Sequence, residues 1–291
     1  MAAGYHTDGT YYKLWHDLRK HVHSNSSTAM WHSSELTEND RLLIHRTKWG
    51  ACYNNKLAHR FKRAPSDACP LCNQPDSCSH MLGGCEHPTM VALRQSRHDT
   101  AVKLVQEAVG DGKMGGYYTI MDAGRWGDLP DNVASKRLPA WLVPTGAPPP
   151  GRGDIKRYRP DILIVEHLSC RLGGRWDKRA PTQATLANMR AKAVIHIVEV
   201  GYTSDLAYHA KVAEKAAQHK ELAAYLSSTG WTVKNHTPIV MGTSGTLFTD
   251  TRTALMGLGV PPDEATNLMS KLHTHTHRQD GMQHDPHTPP P

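Results

Sequence analysis

Two acidic residues stand next to apolar, β-branched sequence in the second half of the chain. Asp161 follows an Arg-Pro pair and precedes the apolar run 162–165, and Glu199 lies inside the run 196–200. We predict that both runs are strands of one sheet and that their carboxylates share a divalent ion. A charge inside an apolar strand is costly unless it is paired or metal-bound, so this placement indicates a functional site.

The chemistry that fits two carboxylates on neighbouring strands is metal-assisted hydrolysis of a phosphodiester. Mg²⁺ takes oxygen ligands, activates a water and neutralises charge on phosphate oxygens. We predict that Asp161 and Glu199 bind Mg²⁺, with the carbonyl of Val200 as a third ligand. A lysine beside the ion can orient or deprotonate the water and offset negative charge.

The lysine of this site is expected to come from a helix. In the commonest arrangement it lies two residues after the second acid, but that position is Gly201. We predict a long helix over 204–226, on which Lys211 and Lys215 share one face because they are four residues apart. Lys215 is the preferred catalytic residue and Lys211 the alternative. The competing interpretation is that these lysines only solvate a surface helix.

A second group of possible ligands has the spacing C-x2-C-x7-H-x4-C and consists of Cys69, Cys72, His80 and Cys85. Two thiolates at C-x2-C can reach one tetrahedral ion, and the histidine and last cysteine complete a zinc site. A segment this short has almost no core, so zinc is expected to supply its folding free energy. Cys78 and His87 are alternative ligands with less usual positions.

The charge balance favours a polyanionic partner. The 291 residues include 34 Lys and Arg against 27 Asp and Glu, a formal net charge of +7. Cations displace counterions from phosphates, so DNA is the expected partner and RNA a further one. We predict that phosphates are contacted by Lys62, Arg63 and Arg157. An ordinary solvated surface explains the same charge.

The expected location is intracellular, and nuclear if DNA is the substrate. No run of about 18 apolar residues is present, so no membrane span is predicted. The first residues lack the apolar core of a signal peptide. Of the six cysteines, four fall between Cys69 and Cys85, which in a reducing compartment favours metal binding over disulfides.

The order of these features predicts an α/β protein with a mixed sheet flanked by helices. A small zinc knuckle and a helical N-terminal segment precede the sheet. In that segment Thr37 and Asp40 have capping-box spacing, with Asp in place of the usual Glu. We predict five regions: a basic helical segment (1–65), the zinc knuckle (66–90), a helix and Gly/Pro-rich linker (91–150), the catalytic domain (151–262) and a disordered His/Pro tail (263–291).

Arg-Pro-Asp161, the spaced Glu199 and the helical Glu-Lys215 pair, after the four-ligand knuckle, resemble the C-terminal region of non-LTR retrotransposon proteins. The resemblance covers about residues 35–260. It implies a restriction-endonuclease-like domain of the PD-(D/E)xK superfamily. Such a domain nicks one DNA strand to expose a 3′ hydroxyl for target-primed reverse transcription. It also implies that Asp161 and Glu199 are metal ligands, that Lys215 is catalytic and that Arg159 faces phosphate.

The chain departs from the pattern of that family in three ways. The acids are about 38 positions apart (161 to 199), so residues 169–192 must loop out. The second acid is Glu in place of Asp. No Tyr-x-Asp-Asp polymerase motif is present, so a reverse transcriptase is expected as a partner, in cis or in trans. The alternatives are a non-catalytic nucleic-acid-binding remnant and a zinc-stabilised protein-interaction module.

Overall fold

The computed structural model describes residues 17–48, 53–111, 117–121, 141–142, 160–166 and 182–281. The α-helices are α1 (Ser24–Ser27), α2 (Glu38–Lys48), α3 (Asn55–Arg60), α4 (Pro88–Asp111), α5 (Gln183–Lys192), α6 (Tyr208–Gln218), α7 (Lys220–Ser228), α8 (Thr249–Gly257) and α9 (Pro262–Gly281). The strands are β1 (Tyr117–Met121), β2 (Ile162–Glu166), β3 (Val194–Thr203) and β4 (Thr232–Gly242). None of the described helices has the length and apolarity needed to cross a membrane.

The strands form one mixed sheet in the order β1-β2-β3-β4. The β1–β2 and β2–β3 pairs are antiparallel, and the β3–β4 pair is parallel. A parallel pair needs a crossover connection, which α6 and α7 provide. The predicted mixed α/β class is therefore confirmed.

Helices cover the sheet on both faces. Ile162 and Ile164 of β2 belong to a buried cluster with residues of α4, α8 and α9. Leu163 and Val165 point the other way, into a cluster with α5 and α7. Because both faces are buried, β2 is a continuous apolar run without polar alternation.

The predicted strand 162–165 is confirmed, and the predicted strand 196–200 lies within the longer β3. The short apolar runs at 231–233 and 237–240 predict two further strands, but Thr232–Gly242 form one strand, β4. The helix predicted over 204–226 is divided into a 3₁₀ turn (Asp205–Ala207), α6 and α7. His219 lies between α6 and α7, and its side chain is buried.

The capping box predicted at the start of α2 is confirmed. The Thr37 N–H donates to Asp40 Oδ2 at 2.8 Å, and the Asp40 N–H donates to Thr37 Oγ1 at 3.2 Å. Aspartate can therefore replace glutamate as the second residue of the box, satisfying two backbone donors that the helix itself leaves free.

The predicted disorder of the tail is wrong for residues 263–281, which form most of α9. The apolar residues of this helix continue the core, and Leu272 is fully buried. Its polar residues also find partners: His273 Nδ1 lies 2.7 Å from the Gly245 carbonyl, and Thr276 Oγ1 donates to the Leu272 carbonyl at 2.8 Å. The His/Thr-rich composition led to the prediction of disorder, but these residues form a helix with one buried face. Residues 282–291 lie outside the described residues.

The buried His273 makes the stability of the fold sensitive to acid. Burial, with a smaller contribution from the Lys48 charge, lowers the pKa of His273 to about 3. An unfolded histidine titrates near 6.5, so only the unfolded chain gains the proton as the pH falls below that value. We expect His273 to cost about 2 kcal/mol of unfolding free energy between pH 7 and pH 5.

Urea unfolding at pH 7 and pH 5 measures this loss. Replacing His273→Gln removes the titrating group and should shrink the pH-dependent loss by that amount. Equal losses in the two proteins would show that His273 does not titrate in this way.

Candidate metal centres

The two predicted acids lie opposite each other, with Asp161 directly before β2 and Glu199 within β3. Ile162 pairs with Val198 in the antiparallel register of β2 and β3, so the next position along places Asp161 beside Glu199. The Asp161 N–H donates to Glu199 Oε1 at 3.0 Å. Like charges directly opposite destabilise a sheet, so this pair requires cations around it.

Lys215 of α6 reaches both carboxylates. Its Nζ lies 2.6 Å from Glu199 Oε2 and 3.7 Å from Asp161 Oδ2. Burial lowers the pKa of Lys215, but the charges of Asp161 and Glu199 outweigh this and raise it above its usual value. Lys215 is therefore an ammonium that donates hydrogen bonds and offsets charge. The predicted alternative, deprotonation of a water by this lysine, is at odds with that charge state.

Lys211 lies one turn earlier on α6 and has a different partner. Its Nζ donates to Glu214 Oε1 at 2.6 Å. A Cβ atom on Gly201 would lie 3.2 Å from Lys215 Cε and 3.6 Å from Lys211 Cε. The two helix lysines thus fill the space beside β3 that a side chain at position 201 would occupy. Of the two candidates, Lys215 is the one that contacts both acids.

Two histidines join the site without having been predicted. His98 of α4 places Nε2 3.3 Å from Asp161 Oδ2 and Nδ1 3.1 Å from Asp99. His219 places Nε2 2.7 Å from Glu199 Oε1, and both of these side chains are fully buried. His219 follows Lys215 by four residues, which is a signal in the sequence. His98 precedes Asp161 by 63 residues, and no local pattern connects the two.

Neighbouring groups set the charge of His98 and of Asp161. Burial lowers the pKa of His98, but its hydrogen bonds to Asp161 and Asp99 outweigh burial and raise it to about 9. Burial raises the pKa of Asp161, yet its contacts with His98 and Lys215 leave it below the usual value. At neutral pH Asp161 is therefore a carboxylate that faces two cations, His98 and Lys215.

The remaining residues predicted for this site are partly described. Val200, predicted as a carbonyl ligand, donates its N–H to Asp161 Oδ2 at 2.8 Å. Lys62 and Arg63 are exposed beyond the end of α3. Arg157 and Arg159 lie outside the described residues.

The predicted knuckle residues converge on one point. One donor atom from each of Cys69, Cys72, His80 and Cys85 lies within 4.8 Å of the other three. Across the described part of the chain, no other three His, Cys, Asp or Glu side chains gather in this way. Three thiols and an imidazole are the donors that structural zinc prefers, so the cluster can hold a metal ion such as zinc.

The two alternative ligands lie outside the cluster. Cys78 is disulfide-bonded, so the expectation of metal binding over disulfides is wrong for this cysteine, and His87 follows the last ligand. Neither belongs to the four-donor group. The spacing C-x2-C-x7-H-x4-C therefore selected the residues that the fold brings together.

Tight turns aim the knuckle ligands inward. The Cys69 N–H donates to the Gln74 carbonyl at 2.7 Å, and Asn73 has a positive φ of 60°, which closes the loop between the first two cysteines. A π-helical turn, His80–Gly84, carries the third ligand to the fourth. The carbonyl of Cys85 then accepts from Arg94 Nη1 of α4 at 2.6 Å. The knuckle is thereby fixed to the helix that carries His98.

Comparison of the chain with protein-family models and with curated proteins found no match.

Proposed function

We propose that the protein is a Mg²⁺-dependent DNA endonuclease that cuts one strand. The observation that carries this proposal is one ammonium, Lys215 Nζ, within 4 Å of two carboxylates on neighbouring strands. Opposed acids inside a sheet lower stability, and functional sites are where such costs are commonly retained.

The donor chemistry of the acid pair fits Mg²⁺. This ion is usually held by one or two carboxylates, with waters and substrate phosphates completing its shell. Asp161 and Glu199 are the residues that would hold it, and the ion would activate a water and neutralise phosphate charge. Lys215 would donate to a phosphate oxygen, and His219 keeps the Glu199 carboxylate in place.

The fold supports assignment of the domain to the restriction-like class. Its sheet is mixed, helices cover both faces, and the acids lie on adjacent antiparallel strands, followed by a lysine-bearing helix. The β2–β3 connection includes α5, so the long interval between the acids is compatible with direct strand pairing.

The biological role that we propose is integration of a non-LTR retrotransposon. The nick supplies a 3′ hydroxyl, from which a reverse transcriptase in cis or in trans copies the element RNA. A zinc-loaded knuckle and the cations near it, including Lys62 and Arg63, would help to hold the nucleic acid. A nuclear location follows from the DNA substrate.

Nicking of supercoiled plasmid tests this proposal. We expect relaxed circles with Mg²⁺, none when EDTA replaces it, and none from the Asp161→Ala variant with Mg²⁺. The matched control is Asp263→Ala, which removes an exposed aspartate of α9 and should nick plasmid as the unaltered protein does. Activity that survives Asp161→Ala, or that appears on no DNA, contradicts the proposal.

The second candidate is a nucleic-acid-binding protein without cleavage activity. Its support is the complete burial of Glu199, whose oxygens are already held by Lys215, His219 and the Asp161 N–H. A carboxylate whose oxygens are already bound by protein groups is typical of a structural ion pair. DNA binding with a steep salt dependence, unaccompanied by cleavage, selects this candidate.

A further inference from the structure

One phenylalanine is exposed beside the knuckle. The chain contains two phenylalanines. Phe248 is fully buried, whereas Phe61, directly after α3, is 61% exposed. Folding usually removes so large an apolar side chain from water, so a partner that covers Phe61 would recover that gain.

Phe61 lies among exposed cations in the sequence. Lys56, Arg60, Lys62 and Arg63 are all exposed, and no acidic residue occurs between positions 53 and 66. We call these four cations and Phe61 the α3 surface. Four exposed cations close in sequence to an exposed aromatic ring match a polyanion that also offers flat apolar groups.

The helix ends in a conformation that glycine normally adopts. The Lys62 N–H donates to the His59 carbonyl at 2.9 Å and the Arg63 N–H to the Ala58 carbonyl at 2.8 Å, the two bonds of a Schellman motif. Lys62 occupies the left-handed position of this motif, with φ of 57°. A lysine is strained at this position, where glycine is not, and this strain is consistent with a use for its cation.

The α3 surface is attached to the knuckle. Asn55 Nδ2 donates to the Ala68 carbonyl at 2.7 Å, and the Asn55 N–H donates to Asp76 Oδ2 at 2.7 Å. Asn54 caps the helix by accepting from the Leu57 N–H at 2.9 Å. The surface is therefore held against the segment that metal would stabilise.

We propose that the α3 surface binds a single-stranded polynucleotide, with one base stacked on Phe61 and phosphates on the four cations. Bases in a duplex already stack on each other, whereas an unpaired base has a free face for an aromatic ring. The inference rests on the proposed function only in that both require a polynucleotide, since binding here involves no residue of the acid pair. The strand is DNA or RNA, which share this chemistry.

Fluorescence anisotropy with the zinc-loaded full chain, in buffer without Mg²⁺, tests the proposal. The probes are an oligothymidylate of about 10 nucleotides, the matching RNA and a duplex of equal length. We expect Phe61→Ala to weaken single-strand binding about tenfold and duplex binding much less. The matched control Leu42→Ala removes a side chain that is 47% exposed on α2 and should leave binding unchanged.

A second variant separates binding from folding. Lys62→Gly relieves the left-handed strain, so the thermal midpoint should hold or rise, while single-strand affinity falls and its salt dependence drops by about 0.7 in log–log slope. If Phe61→Ala and Lys62→Gly both bind single strands with unchanged affinity, the proposal is overturned. If Phe61→Ala loses equal affinity for single strand and duplex, a base does not stack on Phe61. The probe that binds with higher affinity, DNA or RNA, shows which of the two polynucleotides the surface prefers. A protein that binds these probes as expected but nicks no plasmid upholds this inference while contradicting the proposed function.

Discussion

Replacing Lys215 with alanine is expected to reduce plasmid nicking by about 10²- to 10³-fold. Lys215 Nζ contacts Glu199 Oε2 at 2.6 Å and Asp161 Oδ2 at 3.7 Å, and no other lysine among the described residues pairs with either acid. Without it, two carboxylates face each other in a largely buried site. We therefore also expect a loss of about 3 kcal/mol of unfolding free energy, measured by urea denaturation.

Lys211→Ala is the matched control, because it removes the same side chain one turn earlier on the same helix. Lys211 pairs with Glu214, so nicking should change by less than about threefold. A double variant separates stability from catalysis: Asp161→Asn in the Lys215→Ala background should restore part of the lost stability but no activity. If the two lysine substitutions reduced nicking equally, the contacts of Lys215 with the two acids would not be the cause of the loss.

Removing the metal from the knuckle is expected to unfold residues 66–90. Each chain should carry one zinc, and Cys85→Ala should lose it together with the order of this segment. Structural zinc supplies about 10 to 16 kcal/mol of apparent binding free energy in small zinc domains. The apolar core of the knuckle is small by comparison, since its buried members are Cys69, Cys85 and Met90. The metal is therefore expected to be the main source of its stability.

Zinc content by atomic absorption and hydrogen exchange over residues 66–90 measure this effect. His87→Ala is the control, since His87 lies beside the ligands but outside the four-donor group and should retain zinc. A metal-free protein whose 66–90 segment exchanges as slowly as that of the zinc-loaded form contradicts the prediction.

The parts of the site that the sequence could predict are those set by local rules. β-branched runs specify β2 and β3, and the spacing of four ligands specifies the knuckle. Gly201 has no side chain that could act in the site, which predicts that the lysine comes from α6. In the structure Lys215 occupies the space beside Gly201.

Part of the site could not be predicted because it depends on contacts between residues far apart in the sequence. His98 reaches Asp161 from α4 across 63 residues, and no periodicity encodes that contact. The C-terminal helix α9 was not predicted for a different reason. His273, Thr276 and His277 are polar by type, yet α9 packs on the core through one face and buries all three. Composition averages over the faces of a helix, whereas packing distinguishes them.

The way the acid pair is assembled has a consequence for the timing of any activity during folding. Its side chains come from α4, β2, β3 and α6, so the contact between His98 and Asp161 closes a loop of 63 residues and that between Asp161 and Glu199 one of 38. Such long-range contacts form late, because chain entropy must be lost before they stabilise the fold. A partly folded or truncated chain would therefore have each acid without its lysine and histidine partners. DNA cleavage, where present, should appear only with the finished fold and disappear at the first cooperative step of unfolding.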